Sequence, residues 1–477
     1  MGSETPWLGL HPVSLGVNLV PRMWATLRGS WPLLLALVYG RATGEGFFEL
    51  WLISVFFALA IGGTIVHFLT LRYRVVDGRL EMKSGLLNRQ VRVIGAERIQ
   101  NVEMVRNVFH RMSNMVEVRI ETASGTEVEG LLSALSVDDA QALVRALEEA
   151  RGESRSDEEA EDGELIVSNS LTDLLWYGVT ETRLGGLAVL LGVGLEVFGL
   201  DARNADPSGL ERTGRFVAGF GGPALLLAAV SGAWVLGTAT AVVRQYGFRV
   251  VRTATALVAE RGLFTKRRVV LRPSKVQVVT VFQPWLRRLA GFSSVSIETA
   301  AAREGGDGTQ RSEALVPVVT SETMASVLDA AIPLHGVDPE KAPLLPAHPR
   351  ALVRALAASS GRAAVLGALV AGFFFPWGLL AFLLVPIAMG LAWLDHHHQG
   401  WLVTPEVIVS RRGWMRRRTW WMGRNKMQSV ALHRGPILRR YGLAILSVRA
   451  AGSRVELPAM AMDDALRLQH RLLRAIP

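Results

Sequence analysis

Between Gly400 and Pro477 the chain holds 15 lysines and arginines against four acidic residues, a surplus of 11 that exceeds the net charge of +10 of all 477 residues. Five of these, Arg411, Arg412, Arg416, Arg417 and Arg418, surround Trp414, Trp420 and Trp421, and Arg424 and Lys426 follow. Arginines interleaved with tryptophans suit anion binding at a boundary between water and an apolar phase. A shorter version of the same stretch carries Lys266, Arg267, Arg268 and Lys275. Beside a bilayer, each such residue adds about 1 kcal/mol of attraction to an anionic surface. The competing explanations are the positive-inside bias of membrane proteins and pairing with an acidic protein surface, for which residues 153–164 of this chain qualify.

Other chemistry-bearing residues are sparse. The absence of cysteine excludes disulfides, thiolate nucleophiles and cysteine-based zinc sites. His396, His397 and His398 are adjacent and follow Asp395, and neighbouring histidines on a strand or loop point in different directions, so no metal site is expected. Glu49, His67 and Glu196 lie in apolar stretches, the two glutamates at the ends where a carboxylate reaches water. Read instead as pathway residues, they would make the chain a transporter or export component. No P-loop, nucleophile elbow, H-E-x-x-H or dinucleotide fingerprint occurs. The sequence predicts no catalytic residue, no metal and no cofactor.

The elements that position the basic stretches begin with apolar segments. Half of the residues are hydrophobic and only 20% are charged, below the roughly 25% usual in soluble chains. Stretches at Phe47–Thr70, Leu184–Leu200, Phe216–Val242 and Phe374–Leu394 approach the roughly 20 residues a helix needs to span a bilayer. Two weaker ones, Pro21–Tyr39 and Ala363–Phe375, complete three hairpins. Lys and Arg concentrate at the hairpin ends that face the long polar segments, which places those segments in the cytoplasm. No cleaved signal peptide is read at the N-terminus.

Three copies of one pattern follow the hairpins. Gly85, Gly262 and Gly413 each precede Gln100, Gln277 and Gln428 by 15 positions. Arg111, Arg288 and Arg439 each follow the glutamine by 11, and Ala123, Ala300 and Ala451 by 23. A repeat of this kind marks one structural unit used three times. The glycines fit turns that need positive φ, and the glutamines fit buried amides pairing a strand end. Alternation in Val116–Thr122 and Val295–Thr299 predicts strands. Val137–Glu149, Thr323–Ile332 and Asp463–Ile476 predict closing amphipathic helices, the first with Ser136 and Asp139 as its capping pair.

A strand leaving a helical hairpin, Gly85-Leu86, Arg98-Ile99-Gln100 and a closing helix resemble the bacterial pleckstrin-homology-like (PH-like) membrane proteins of the YdbS/YdbT type, as do the His11-Pro12 and His348-Pro349 pairs. Copies two and three depart to Lys275-Val276-Gln277 and Lys426-Met427-Gln428. The resemblance runs from Leu10 onward and implies two roughly orthogonal sheets capped by a helix, with no defined activity.

The expected fold is an α+β membrane protein: three transmembrane helical hairpins, each followed by a small PH-like β-barrel or sandwich capped by a C-terminal helix. The expected order is an N-terminal segment and hairpin (1–70), PH-like domain 1 (71–150), an acidic linker (151–166), an interfacial helix and hairpin (167–243), PH-like domain 2 (244–334), a Pro-rich linker (335–349), a hairpin (350–399) and the basic PH-like domain 3 (400–477). The expected role is a non-catalytic binding or scaffold protein of the inner membrane. Its expected partners are anionic lipid headgroups, a membrane protein or a second copy. Nucleic acid is disfavoured because headgroups compete for a basic domain tethered at the bilayer.

Overall fold

The computed structural model describes residues 7–9, 51, 55, 62–63, 65–66, 68–85, 89–122, 130–150, 163–181, 221–299, 314–334, 336–373 and 375–474. The first repeat comprises β1 (Leu8–Gly9), β2 (Arg72–Val76), β3 (Arg79–Ser84), β4 (Gln90–Gly95), β5 (Ile99–Arg106), α1 (Val108–Met112), β6 (Met115–Thr122), β7 (Gly130–Ser136) and α2 (Val137–Glu149). The second runs through β8 (Glu164–Ser168), α3 (Leu171–Glu181), α4 (Gly221–Gln245), β9 (Arg249–Arg252), β10 (Leu257–Arg261), β11 (Lys266–Leu271), β12 (Val276–Pro284), α5 (Trp285–Leu289), β13 (Phe292–Thr299), β14 (Ala314–Thr320) and α6 (Ser321–Ala331). The third consists of β15 (Leu345–Pro346), α7 (Pro349–Phe373), α8 (Leu384–His397), β16 (Gly400–Val403), β17 (Val407–Arg412), β18 (Arg416–Gly423), β19 (Ser429–His433), α9 (Pro436–Arg440), β20 (Leu443–Ala450), β21 (Ser453–Glu456), β22 (Met460–Ala461) and α10 (Met462–Leu473).

Strand alternation becomes burial alternation. In β6, Val116, Val118 and Ile120 enter the core while Glu117, Arg119 and Glu121 between them are less buried. The closing helix α2 spaces Ala140, Leu143, Val144 and Leu147 so that all four reach the same core. Each of its larger aliphatic side chains contributes about 1.5–3 kcal/mol by leaving water. Its first turn is capped by Ser136, whose hydroxyl accepts from the Asp139 amide at 3.0 Å. Each repeat thus pairs a four-stranded antiparallel sheet with a second, mostly three-stranded one and a closing helix, a PH-like arrangement.

The repeats, expected as successive PH-like domains, share sheets. The chain forms two seven-stranded sheets, in the orders β7-β6-β5-β11-β10-β9-β8 and β14-β13-β12-β18-β17-β16-β15, flanked by four-stranded sheets at either end. The second sheet of one repeat therefore continues into the first sheet of the next through β5–β11 and β12–β18. Both junctions use one register: Val102 faces Val270 and Val279 faces Trp421, each two places after the repeat glutamine and eight after the repeat glycine. At the second junction the cores cross as well. Val407, Val409 and Trp421 of the third repeat pack among the core residues of the second, and Val278 of the second packs in the core of the third.

Further corrections concern the segments outside the expected domains. The end of the acidic linker forms β8 on β9, and the Pro-rich linker yields β15 on β16, matching β1 on β2. Each first sheet thus gains an edge strand from the segment that precedes the repeat's apolar stretches. The segment expected as an interfacial helix is helical, as α3. The segment expected at Ala363–Phe375 starts earlier: α7 begins at Pro349, whose missing N–H costs nothing at a helix start.

Among the described residues three full hairpins are not seen. Two described helices, Pro349–Gly372 and Gly378–His397, are long and apolar enough to cross a membrane. Only 11% and 6% of their most apolar stretches are buried, so they turn apolar surface outward, unlike core helices. The expected spans Pro21–Tyr39 and Leu184–Leu200, and most of Phe47–Thr70, lie outside the described residues, whereas Phe216–Val242 falls largely on α4.

Candidate functional site

The three repeat glycines sit at one recurrent place, where the hairpin of the first sheet meets the end of an apolar helix. Their φ values are 97° at Gly85, 107° at Gly262 and 88° at Gly413, a region closed to most side chains. A Cβ at Gly413 would lie 2.5 Å from the Arg416 carbonyl oxygen, and one at Gly262 would collide with the Thr265 carbonyl. The turn then works as a helix stop. The amide of Gly262 donates to the Tyr246 carbonyl at 2.8 Å and that of Leu263 to the Val243 carbonyl at 3.0 Å, at the C-terminus of α4. In the other copies the amide of Gly85 donates to the Thr70 hydroxyl at 3.1 Å, and that of Trp414 to Asp395 Oδ1 at 3.0 Å. Carbonyls left over at a helix C-terminus find partners this way, and lysines and arginines nearby meet the negative end of its dipole.

The repeat arginines lock successive units at the same place. Arg111 Nη1 donates to the Leu263 carbonyl at 3.2 Å, and Arg288 Nη1 to the Trp414 carbonyl at 2.8 Å. Each arginine belongs to the short helix after the junction strand, and each acceptor directly follows the next repeat's glycine. The Trp285 amide adds a bond to the Met415 carbonyl at 2.8 Å. The third short helix, α9, packs Leu438 on Ala351 at the start of α7. All three short helices therefore lie beside the ends of apolar helices.

These helices carry exposed apolar side chains that sequence reasoning missed. Met112 is 82% exposed and Leu289 78%, with Phe109, Leu286 and Ile437 also open. The hairpin turns add Phe264 and Met415, both exposed. The available signal was a short run of large apolar residues around each repeat arginine, but five-residue helices are too short to show a periodicity. Together the row presents apolar residues flanked by exposed Arg111, Lys266 and Arg416.

The residues singled out from sequence divide into groups. Trp421 is 1% exposed and fills the second repeat's core, while Trp420 packs against the third. Arg411 bonds Thr419 at 3.3 Å, and Arg412 holds Glu456 at 3.0 Å and the Leu457 carbonyl at 3.0 Å. Burial lowers the pKa of Arg411, and burial followed by Arg354 and Arg454 lowers that of Arg412. Arg424 reaches the Thr404 and Arg471 carbonyls at 3.5 and 3.4 Å. Arg416 and Arg418 both lie over the Phe282 ring, 5.4 Å from its centroid, across the second junction. Between them, Arg417 is pushed down to about 10 by burial, Arg288 and Arg411. Lys426 bridges the junction to the Ser274 carbonyl at 2.6 Å and is lowered by burial and by Lys275. At the first junction Arg267 lies 3.5 Å from Glu103, and Arg268 lies 3.7 Å from Glu260. Lys266 stands exposed opposite Arg106.

The glutamines differ. Gln277 is buried and donates to the Lys275 carbonyl at 3.2 Å, whereas Gln428 is exposed beside β19. His397 and His398 turn Nδ1 toward the Trp393 and Leu394 carbonyls at 2.9 and 2.8 Å. Among the described residues no group of three or more histidine, aspartate or glutamate side chains is placed to hold a metal. Glu49 and Glu196 lie outside the described residues.

Comparison with known proteins agrees with this geometry. The family described as Bacterial PH domain matches three times, over residues 30–151, 197–331 and 353–476. The chain is also 25% identical over 416 residues to the UPF0699 transmembrane protein YdbT of Bacillus subtilis (strain 168), covering 83% of this chain and 82% of that one. No solved structure matches. With one sheet-and-helix unit built three times and the family pattern spanning most of its length, the chain belongs to the bacterial PH domain family.

Proposed function

We propose that this chain is a non-catalytic integral membrane scaffold whose PH-like units lie flat on the inner leaflet and contact anionic lipid headgroups. One observation carries the reading: the hairpin turns and short helices that gather at the ends of the apolar helices expose large apolar side chains next to lysine and arginine. Such a surface dips apolar groups into the headgroup region and leaves the charges among phosphates. The two outward-facing apolar helices and the transmembrane relative support membrane residence. The concentration of positive charge on the units supports their cytoplasmic placement. The transporter alternative rests on Glu49 and Glu196, to which no described feature adds support.

The cysteine-free chain allows a direct test. Met112→Cys, Leu289→Cys and Ile437→Cys each receive a nitroxide label in full-length protein reconstituted into phosphatidylglycerol or phosphatidylcholine nanodiscs. Labels relaxed by oxygen, more strongly in phosphatidylglycerol, are the expected result. Labels relaxed only by a water-soluble nickel complex in both lipids would overturn the reading.

A further inference from the structure

The row of repeats leaves two strand edges that match each other. Among the described residues β4 pairs only with β3, and β19 only with β20. By position after the repeat glycine, β4 corresponds to β11 and β18; by position after the repeat glutamine, β19 corresponds to β5 and β12. Both internal junctions join these two strand types. We propose that a second copy of this chain occupies the open edges, its β4 pairing antiparallel with β19 of the first and extending the row head to tail.

The register of the internal junctions makes the proposal specific. Val270 faces Val102 and Trp421 faces Val279, so Val93 of one copy faces Val430 of the other, and Val91 faces Leu432. These four apolar side chains share one face because strand side chains alternate. In the present structure Val91 is 57% and Val93 48% exposed, although both are β-branched residues on an edge strand. Trp421, which corresponds to Val93, is buried where its junction is complete. An exposed apolar edge of this kind is a template for another strand. Val430 and Leu432 already line the third repeat's core, which the incoming valines would extend. Arg439, the counterpart of Arg111 and Arg288, is exposed on the short helix that follows β19, the place from which the other two reach into the next unit. Pairing of unlike edges is heterologous, so the copies form a closed ring or an open row.

The test uses disulfide trapping in the full-length protein, reconstituted in nanodiscs large enough for several copies. One copy carries Val93→Cys and an affinity tag; another carries Val430→Cys and a different tag. A single chain with Val102→Cys and Val270→Cys is the positive control, because it occupies the same register position. Mild oxidation is expected to link the two tagged copies to an extent within a few-fold of the control. Failure to link them while the control oxidises would overturn the proposal. So would Val93→Cys linking to itself, or a link that appears only when both cysteines sit in one chain. The outcome is independent of the lipid contact proposed above.

Discussion

The two internal junctions share strands, register and arginine locks, yet they are filled with different chemistry. The first is ionic. Glu103 sits between Arg267 and Arg119 at 3.5 and 3.9 Å, and Glu148 on the closing helix α2 reaches across to Arg272 at 3.3 Å. The second is aromatic. Trp421 seals the neighbouring core, and Phe282 lies under Arg416 and Arg418. Backbone pairing alone therefore fixes how the units align, while the side chains set how firmly each joint holds and which conditions loosen it.

Trp421→Ala should break the second joint most severely. Emptying so large a buried site costs about 3–5 kcal/mol, and hydrogen exchange should quicken in both β12 and β18 while β5 and β11 keep their protection. Unchanged exchange in β12 would show that the joint does not depend on the indole. Glu148→Gln is the matching blow to the first joint. It takes the charged carboxylate away from Arg272, whose side chain is mostly but not fully covered, a loss of about 2 kcal/mol, read as a lower midpoint of thermal unfolding in detergent. The same change should leave β12–β18 protection untouched, which separates the joints.

Phe282→Leu sharpens the comparison more gently. It keeps an apolar side chain but removes the ring beneath two guanidinium groups, at about 1 kcal/mol, and the loss should persist in high salt because stacking depends less on screening than exposed ion pairs do. Raised salt should by contrast weaken the first joint.

The smallest effect is on pH. The buried position before the repeat arginine is His110 in the first unit, Arg287 in the second and Leu438 in the third. Burial lowers the pKa of His110 below its ordinary 6.5, so the folded state binds the proton less readily than the unfolded chain does. As pH falls through 6.5 the unfolded chain gains a proton that the folded one refuses, and stability drops until the folded value is passed. Wild type should therefore unfold more readily at about pH 5 than at about pH 7.5, a difference that His110→Gln reduces. Equal sensitivity in the variant would assign the effect to other groups.

Much of this was legible in the sequence at the level of register. The glycines announced positive-φ turns, and the arginine 11 places past the first two glutamines marked a real contact position. What that arginine touches was not legible, because its partner belongs to the next unit and no local period encodes a distant strand. The same blindness made the basic turn of the third unit read as open surface, whereas Arg417, Arg418 and Trp421 sit wholly or partly in a joint. Strands β1 and β15 escaped notice for a simpler reason, since two residues carry no alternation. Met112 and Leu289 went unremarked because apolar residues in a polar segment look like core until the fold shows them outside.

Shared sheets also set a timetable for biosynthesis. Strand β5 emerges from the ribosome about 170 residues before the strand that covers its edge, an interval of roughly 10–30 s at ordinary elongation rates. During that wait the nascent first unit carries a bare strand edge, and the whole of apolar α4 must be made before the edge can close. The first two units cover their junction strands only once the next unit has been made. A nascent chain stalled between units would expose a sticky flank to the translocation machinery and to chaperones, so the protein's quality is decided during membrane insertion as much as after it.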